Sequence, residues 1–83
     1  MLQKIQPIYP DIAKRLHIQG DVLLTALIAR DGSVEGLNAV SGHPWLIRAA
    51  IDAVSQWRYK PYILNGSPTE VETTIKVTFK LEQ

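Results

Sequence analysis

The sequence predicts an α+β domain: a three-stranded antiparallel sheet of order 2-1-3 with two helices on one face, in chain order α-β-β-α-β. Three observations carry this expectation. From Val71 to Leu81 apolar and polar residues alternate without a break, the pattern of a half-buried strand with one dry and one wet face. Asp31-Gly32 separates two strand-like runs, and a glycine there tolerates the positive φ that a tight hairpin turn requires. Leu46, Ala49, Ala50, Ala53, Val54 and Trp57 recur at offsets of three and four, the apolar stripe of an amphipathic helix.

The elements follow in order. Pro7 and Pro10 keep the first residues extended. Pro10 suits the first position of a helix running to about His17, because its missing N–H has no partner to lose there. Ile12, Ala13 and Leu16 form the stripe of that helix, and Gly20 is expected to end the element. Asp21 to Arg30 reads as a strand that is apolar on both sides, with Val22, Leu24, Ala26 and Ile28 on one face and Leu23, Thr25, Leu27 and Ala29 on the other. That suits a central strand. Ser33 to Val40 returns antiparallel, and Gly36 within it marks a bulge. Pro44 opens the long helix, which turns Arg48, Asp52, Ser55 and Gln56 to solvent. Its alanines allow close approach to a sheet, Trp57 fills the wider gap at its end, and Pro61 stops it. Asn65-Gly66 and Pro68 supply the last turn before the terminal strand.

The long helix must cross the sheet to bring the chain back, so the third strand runs in the same direction as the second. Paired with the doubly apolar first strand, it completes an antiparallel sheet and lies at a rim. No covering segment is expected after it, and its outer N–H and C=O groups are then open to a partner strand. Glu70, Glu72, Lys76, Lys80 and Glu82 put charge on that rim and restrain self-pairing, although the same edge permits a homodimer by strand pairing or exchange.

Composition narrows the function classes. The 83 residues make one domain, 1–83, with 46% hydrophobic and 20% charged residues, an ordinary globular balance. A net charge of +1 supplies no field for nucleic acid or anionic lipid. Without cysteine there is no disulfide or thiolate site. No apolar run reaches the ~18–20 residues of a membrane span. His17 and His43 lie on separate elements with no carboxylate at ligand spacing, so no metal is expected. Asp11, Asp21, Asp31 and Asp52 read as cap, strand-start, turn and helix-surface residues, not as a catalytic pair. Gly32, Gly36 and Gly42 are not followed by the Lys-Ser or Lys-Thr of a phosphate loop. Lys14, Arg15 and His17 read as a solvated basic face. No enzyme and no cofactor is expected.

Gln6-Pro7-Ile8-Tyr9-Pro10, Ile18-Gln19-Gly20-Asp21-Val22 and Asp31-Gly32-Ser33-Val34 resemble the opening of TonB C-terminal domains. Trp57-Arg58-Tyr59-Lys60-Pro61, after an alanine-rich helix, resembles that family's strongest local signature. Asn65-Gly66 and the Phe79-bearing strand follow in order, so the resemblance runs from about Gln6 to Leu81, the TonB/TolA C-terminal type of fold. It implies the periplasmic end of an energy transducer anchored in the inner membrane of a Gram-negative bacterium. A membrane helix and a Pro-rich spacer, absent from this sequence, would couple such a domain to proton-driven motor proteins. The domain would bind the Ton box of an outer-membrane transporter as an added strand along Thr73, Thr74, Ile75, Lys76, Val77, Thr78 and Phe79, with Gln6 and Pro7 beside it. Tyr9, Pro10, Gly20, Gly32, Trp57, Arg58, Tyr59 and Pro61 would be structural. The alternative is a TonB-like periplasmic interaction or dimerisation module of another envelope protein, which the upstream gene sequence would distinguish.

Overall fold

The computed structural model describes residues 3–81. The chain runs α1 (Asp11–Arg15), β1 (Gly20–Ile28), β2 (Val34–Ser41), α2 (Pro44–Val54), β3 (Tyr62–Leu64), β4 (Ser67–Thr69) and β5 (Val71–Phe79). The main sheet has the order β2-β1-β5 with both pairings antiparallel, so the terminal strand is at a rim as expected. β3 and β4 form a separate two-stranded hairpin where Asn65-Gly66 and Pro68 predict only a turn. Its Asn65 and Gly66 both have positive φ (52° and 81°), the backbone of a type I′ turn.

The core lies between one sheet face and the helices. Val22, Leu24, Ala26 and Ile28 of β1 and Ile75, Val77 and Phe79 of β5 are buried against Ala13 of α1 and Leu46, Ala50 and Val54 of α2. Small residues on α2 permit this: Ala50 and Ala53 are buried where the helix faces the sheet. The other face of β1, Leu23, Thr25 and Leu27, is only half-buried.

Two helix boundaries differ from expectation. α1 ends earlier, through His17 rather than Gly20. His17 takes φ +55°, its N–H donates to the Lys14 carbonyl at 3.2 Å, and the Ile18 N–H donates to the Ala13 carbonyl at 2.8 Å. That paired closure is a Schellman motif, in which histidine occupies the position glycine usually fills. α2 ends at Val54, so Trp57 lies beyond the helix, in a turn where its N–H donates to the Val54 carbonyl at 2.9 Å. His43 caps α2 by accepting the Trp45 N–H on its Nδ1 at 3.3 Å.

The β1–β2 turn carries an acid-sensitive contact. The Ser33 hydroxyl and N–H donate to the Asp31 carboxylate at 2.6 and 2.9 Å. These bonds, the hydroxyl's first, hold the Asp31 carboxyl below the usual carboxylate range. A folded value below the unfolded one means the ionised group favours folding above the unfolded value, and this contribution disappears as pH falls through the folded value. Thermal unfolding between about pH 7 and pH 2 should therefore show a smaller acid-side loss for Asp31→Asn than for the parent. Superimposable pH profiles would refute a role for this carboxylate.

Candidate peptide-docking rim

The free edge of β5 is built by its regularity. All nine residues pair with β1 in unbroken register, from Val71 opposite Ile28 to Phe79 opposite Gly20. The strand contains no proline and no bulge. Ile75, Val77 and Phe79 point into the core and are buried, Thr73 is half-buried on the same side, and Thr74, Lys76 and Thr78 are exposed. Because the core side of the strand is anchored, the backbone on its outer side is held in register while its peptide groups have no partner strand among the described residues.

The opposite edge of the sheet is different. β2 shifts register between Leu23 and Leu24 and again between Thr25 and Leu27, and Gly36 in the second shift has φ +53°. Bulges of this kind twist an edge and interrupt its row of donors and acceptors. The molecule thus disrupts one rim and leaves the other intact.

The N-terminal segment runs beside the intact rim and is pinned at both ends. Gln3 and Arg58 exchange two backbone hydrogen bonds, at 3.0 and 2.9 Å. The Trp57 indole N–H donates to the Ile5 carbonyl at 2.8 Å, and the Lys4 ammonium sits 5.3 Å from the centroid of the Trp57 ring. At the far end the Tyr9 ring meets Phe79 edge-on, with centroids 5.4 Å apart, and the Tyr9 hydroxyl donates to the Ile18 carbonyl. A cleft of about 260 Å³ remains between segment and strand, lined by Lys4, Gln6, Pro7 and Trp57 and by Lys76, Val77 and Thr78. Gln6 and Pro7, far from β5 in sequence, therefore lie beside three of the strand residues singled out with them.

The residues expected to be structural occupy supporting positions. Pro10 precedes α1 as its N-cap residue, one position earlier than expected. Gly20 opens β1. Gly32 is buried with φ +90° under the Tyr59 carbonyl, and the Tyr59 N–H donates to the Gly32 carbonyl at 2.8 Å. Trp57 is buried, with its ring 6.5 Å from that of Tyr59. Burial pushes the Tyr59 phenol above its usual value. Arg58 bridges to both Gln3 and Ser33 through its backbone, and half-buried Pro61 leads into β3.

Two features had no signal in the sequence. Lys4 belongs to no periodic pattern, and only the fold brings it to the cleft. A larger apolar groove of about 520 Å³ lies on the helical side, with Ile8, Ile12, Trp45 and Ala49 among its lining, and Gln6 separates it from the rim cleft. Its residues come from two separate stretches of chain, 5–12 and 44–56, neither of which shows the groove alone.

Known proteins give this geometry a context. The family model described as Gram-negative bacterial TonB protein C-terminal matches residues 5–81. Protein TonB of Vibrio cholerae serotype O1 is 35% identical over 81 residues, covering 95% of this chain and 33% of that protein. Protein TonB of Xanthomonas campestris pv. campestris is 31% identical over 77 residues, covering 90% of this chain and 34% of that protein. The solution NMR structure of the Pseudomonas aeruginosa TonB CTD superposes with a TM-score of 0.81 at 26% identity, covering 99% of this chain and 85% of the other. The chain spans about a third of the length of these curated relatives. A family match over residues 5–81, with a superposition that covers 99% of the chain, places it in the TonB C-terminal domain family.

Proposed function

We propose that this domain is the periplasmic terminal domain of a TonB-type energy transducer. It captures the Ton box of outer-membrane transporters as a fourth strand beside β5 and passes motor-derived force to them for nutrient uptake. In this reading, anchoring in the inner membrane and coupling to the proton-driven motor belong to upstream parts of a longer protein. The supporting observation is the rim of β5: nine residues in unbroken register on one side and, among the described residues, no strand on the other.

Strand addition suits the task. A row of main-chain hydrogen bonds is largely indifferent to side-chain identity, so one domain can serve several transporters. At about 0.5–1.5 kcal/mol net per bond, five or six bonds supply roughly 3–8 kcal/mol before the cost of ordering the guest. That is reversible binding, as repeated cycles of capture and release require. The experiment is a titration of Ton box peptides from the source organism into isotope-labelled domain, followed through backbone amide shifts. Shifts should concentrate at Thr73–Phe79 and at Gln6. Shifts confined to α1 and α2 would overturn the reading.

A further inference from the structure

Two steps of this chain, Asp31-Gly32 and Asn65-Gly66, share one chemistry, and the structure treats them oppositely. In each, the glycine nitrogen can attack the side-chain carbonyl carbon of the residue before it and close a succinimide ring. Glycine hinders that attack least, because it has no Cβ. At the β1–β2 turn the reaction is blocked. The Gly32 N–H donates to the Ala29 carbonyl at 2.9 Å, and the Ser33 hydroxyl and N–H hold the Asp31 carboxylate at 2.6 and 2.9 Å. Gly32 is also buried beneath the Tyr59 carbonyl. The tip of the β3–β4 hairpin has none of these restraints. Residues 62–68 are all exposed, and a Cβ built on Gly66 meets nothing within 4 Å. The hydrogen bond that closes such a turn runs from the Ser67 N–H to the Leu64 carbonyl and leaves the Gly66 nitrogen out. Among the described residues β3 and β4 pair only with each other, and none of their residues is buried. A lone two-stranded hairpin is marginal in water, so this one opens without unfolding the main sheet.

We propose that Asn65 is a modification site, where the side chain deamidates spontaneously and an isoaspartyl residue forms. The Gly66 nitrogen gives its proton to hydroxide and bonds to the Asn65 Cγ. The Cγ–Nδ2 bond breaks, and the amide nitrogen takes a proton from water and leaves as ammonia. Water then opens the succinimide. Attack at Cγ returns an ordinary aspartyl residue, and attack at the backbone carbonyl leaves the main chain running through Cγ. No electrons are transferred, and water is the only co-reactant. Either product puts a negative charge at the tip, and the isoaspartyl one adds a methylene to the main chain. The two-residue loop sets the register of the hairpin, with Tyr62 opposite Thr69 and Leu64 opposite Ser67. The longer chain therefore disrupts that register, while β1, β2 and β5, which share no pairing with the hairpin, keep theirs. This site is independent of the peptide-capture reading above.

The test ages the folded domain in warm, mildly alkaline buffer and follows Asn65 by peptide mass spectrometry, with isoaspartyl content read by enzymatic methylation. The same chain held unfolded in urea is the reference. Reaction through hairpin opening alone should run within about tenfold of the rate in urea, whereas reaction that waited for global unfolding would be slowed about 10³-fold or more. Asp31-Gly32 should isomerise in urea and stay intact in the folded domain over the same period. Gly66→Ala should slow loss of the Asn65 amide in both states, because its Cβ crowds the attacking nitrogen. Amide shifts in the aged domain should be confined to residues 62–70. An Asn65 amide that survives in the folded domain while the urea-unfolded chain loses it overturns the proposal. So does a Gly66→Ala rate equal to that of the parent, or an Asp31 that reacts as fast as Asn65 in the folded domain. Shifts that spread through β1 and β5 overturn the confinement of the change to the hairpin.

Discussion

Replacing Gly32 by alanine is expected to cost about 3 kcal/mol or more, from positive-φ strain and displaced packing together. At 0.05–0.15 kcal/mol per residue, an 83-residue chain has a margin of roughly 4–12 kcal/mol, so this single methyl group consumes much of it. Gly32 has φ +90°, and a Cβ built there would stand 1.9 Å from the Tyr59 carbonyl oxygen and 3.0 Å from its carbon. Both obstacles are backbone atoms, so no rotamer change relieves them. Tyr59 cannot simply retreat, because its N–H is bonded to the Gly32 carbonyl and its neighbour Arg58 exchanges two backbone bonds with Gln3. The clash is passed from the β1–β2 turn into the segment that ties down the N-terminus. Gly66 is the internal comparison: it also has positive φ, +81°, but a Cβ there meets nothing within 4 Å. Gly66→Ala should therefore show the conformational cost alone, about 1–2 kcal/mol. Urea unfolding of both variants separates the two contributions. A Gly32→Ala loss no larger than that of Gly66→Ala would mean that the close approach to Tyr59 is not a constraint on the fold.

Sequence patterns revealed those parts of the molecule whose pattern and contacts are both local or periodic. The alternation from Val71 fixes which residues of β5 face the core, and the doubly apolar run from Val22 fits a strand with neighbours on both sides, as β1 has. Gly36 marked a bulge because a glycine inside an edge strand has little other use, and the register of β2 shifts there. The rest depends on contacts between distant stretches. His17 ends α1 in a left-handed conformation that its side chain does not advertise. Trp57 fits the helical stripe by spacing, but α2 stops three residues earlier. Tyr62–Leu64 and Ser67–Thr69 are each only three residues long, too short for periodicity to distinguish strand from turn. Lys4 reaches the rim cleft because backbone groups of Arg58 and the Trp57 ring hold the N-terminal segment in place. The strand half of the candidate site was therefore legible from alternation. The other wall needed a family resemblance for Gln6 and Pro7, and the fold itself for Lys4.

That other wall depends most on one side chain, and two substitutions at Trp57 should resolve its two roles. Trp57→Ala is expected to cost about 3–5 kcal/mol, because the ring is 96% buried relative to a free chain (4% exposed) in the core and leaves a cavity bordered by β5 and α2. Trp57→Phe keeps an aromatic ring but removes the N–H that donates to the Ile5 carbonyl at 2.8 Å. That change should cost roughly 1–3 kcal/mol for the unpaired carbonyl and the smaller ring. The informative quantity is where the loss appears. If the indole nitrogen pins the N-terminal segment against the rim, amide exchange in Trp57→Phe should quicken first at Gln3 and Arg58, whose N–H groups donate to each other's carbonyls. The β1–β5 amides should lose only the protection that the global change requires. The cleft lined by Lys4, Gln6 and Pro7 would then lose its wall while β5 kept its register, and any captured peptide would retain backbone pairing but not the contacts across the cleft. Equal loss of protection in the segment and in β5 would refute that division. It would make Trp57 a core residue whose hydrogen bond merely accompanies its packing.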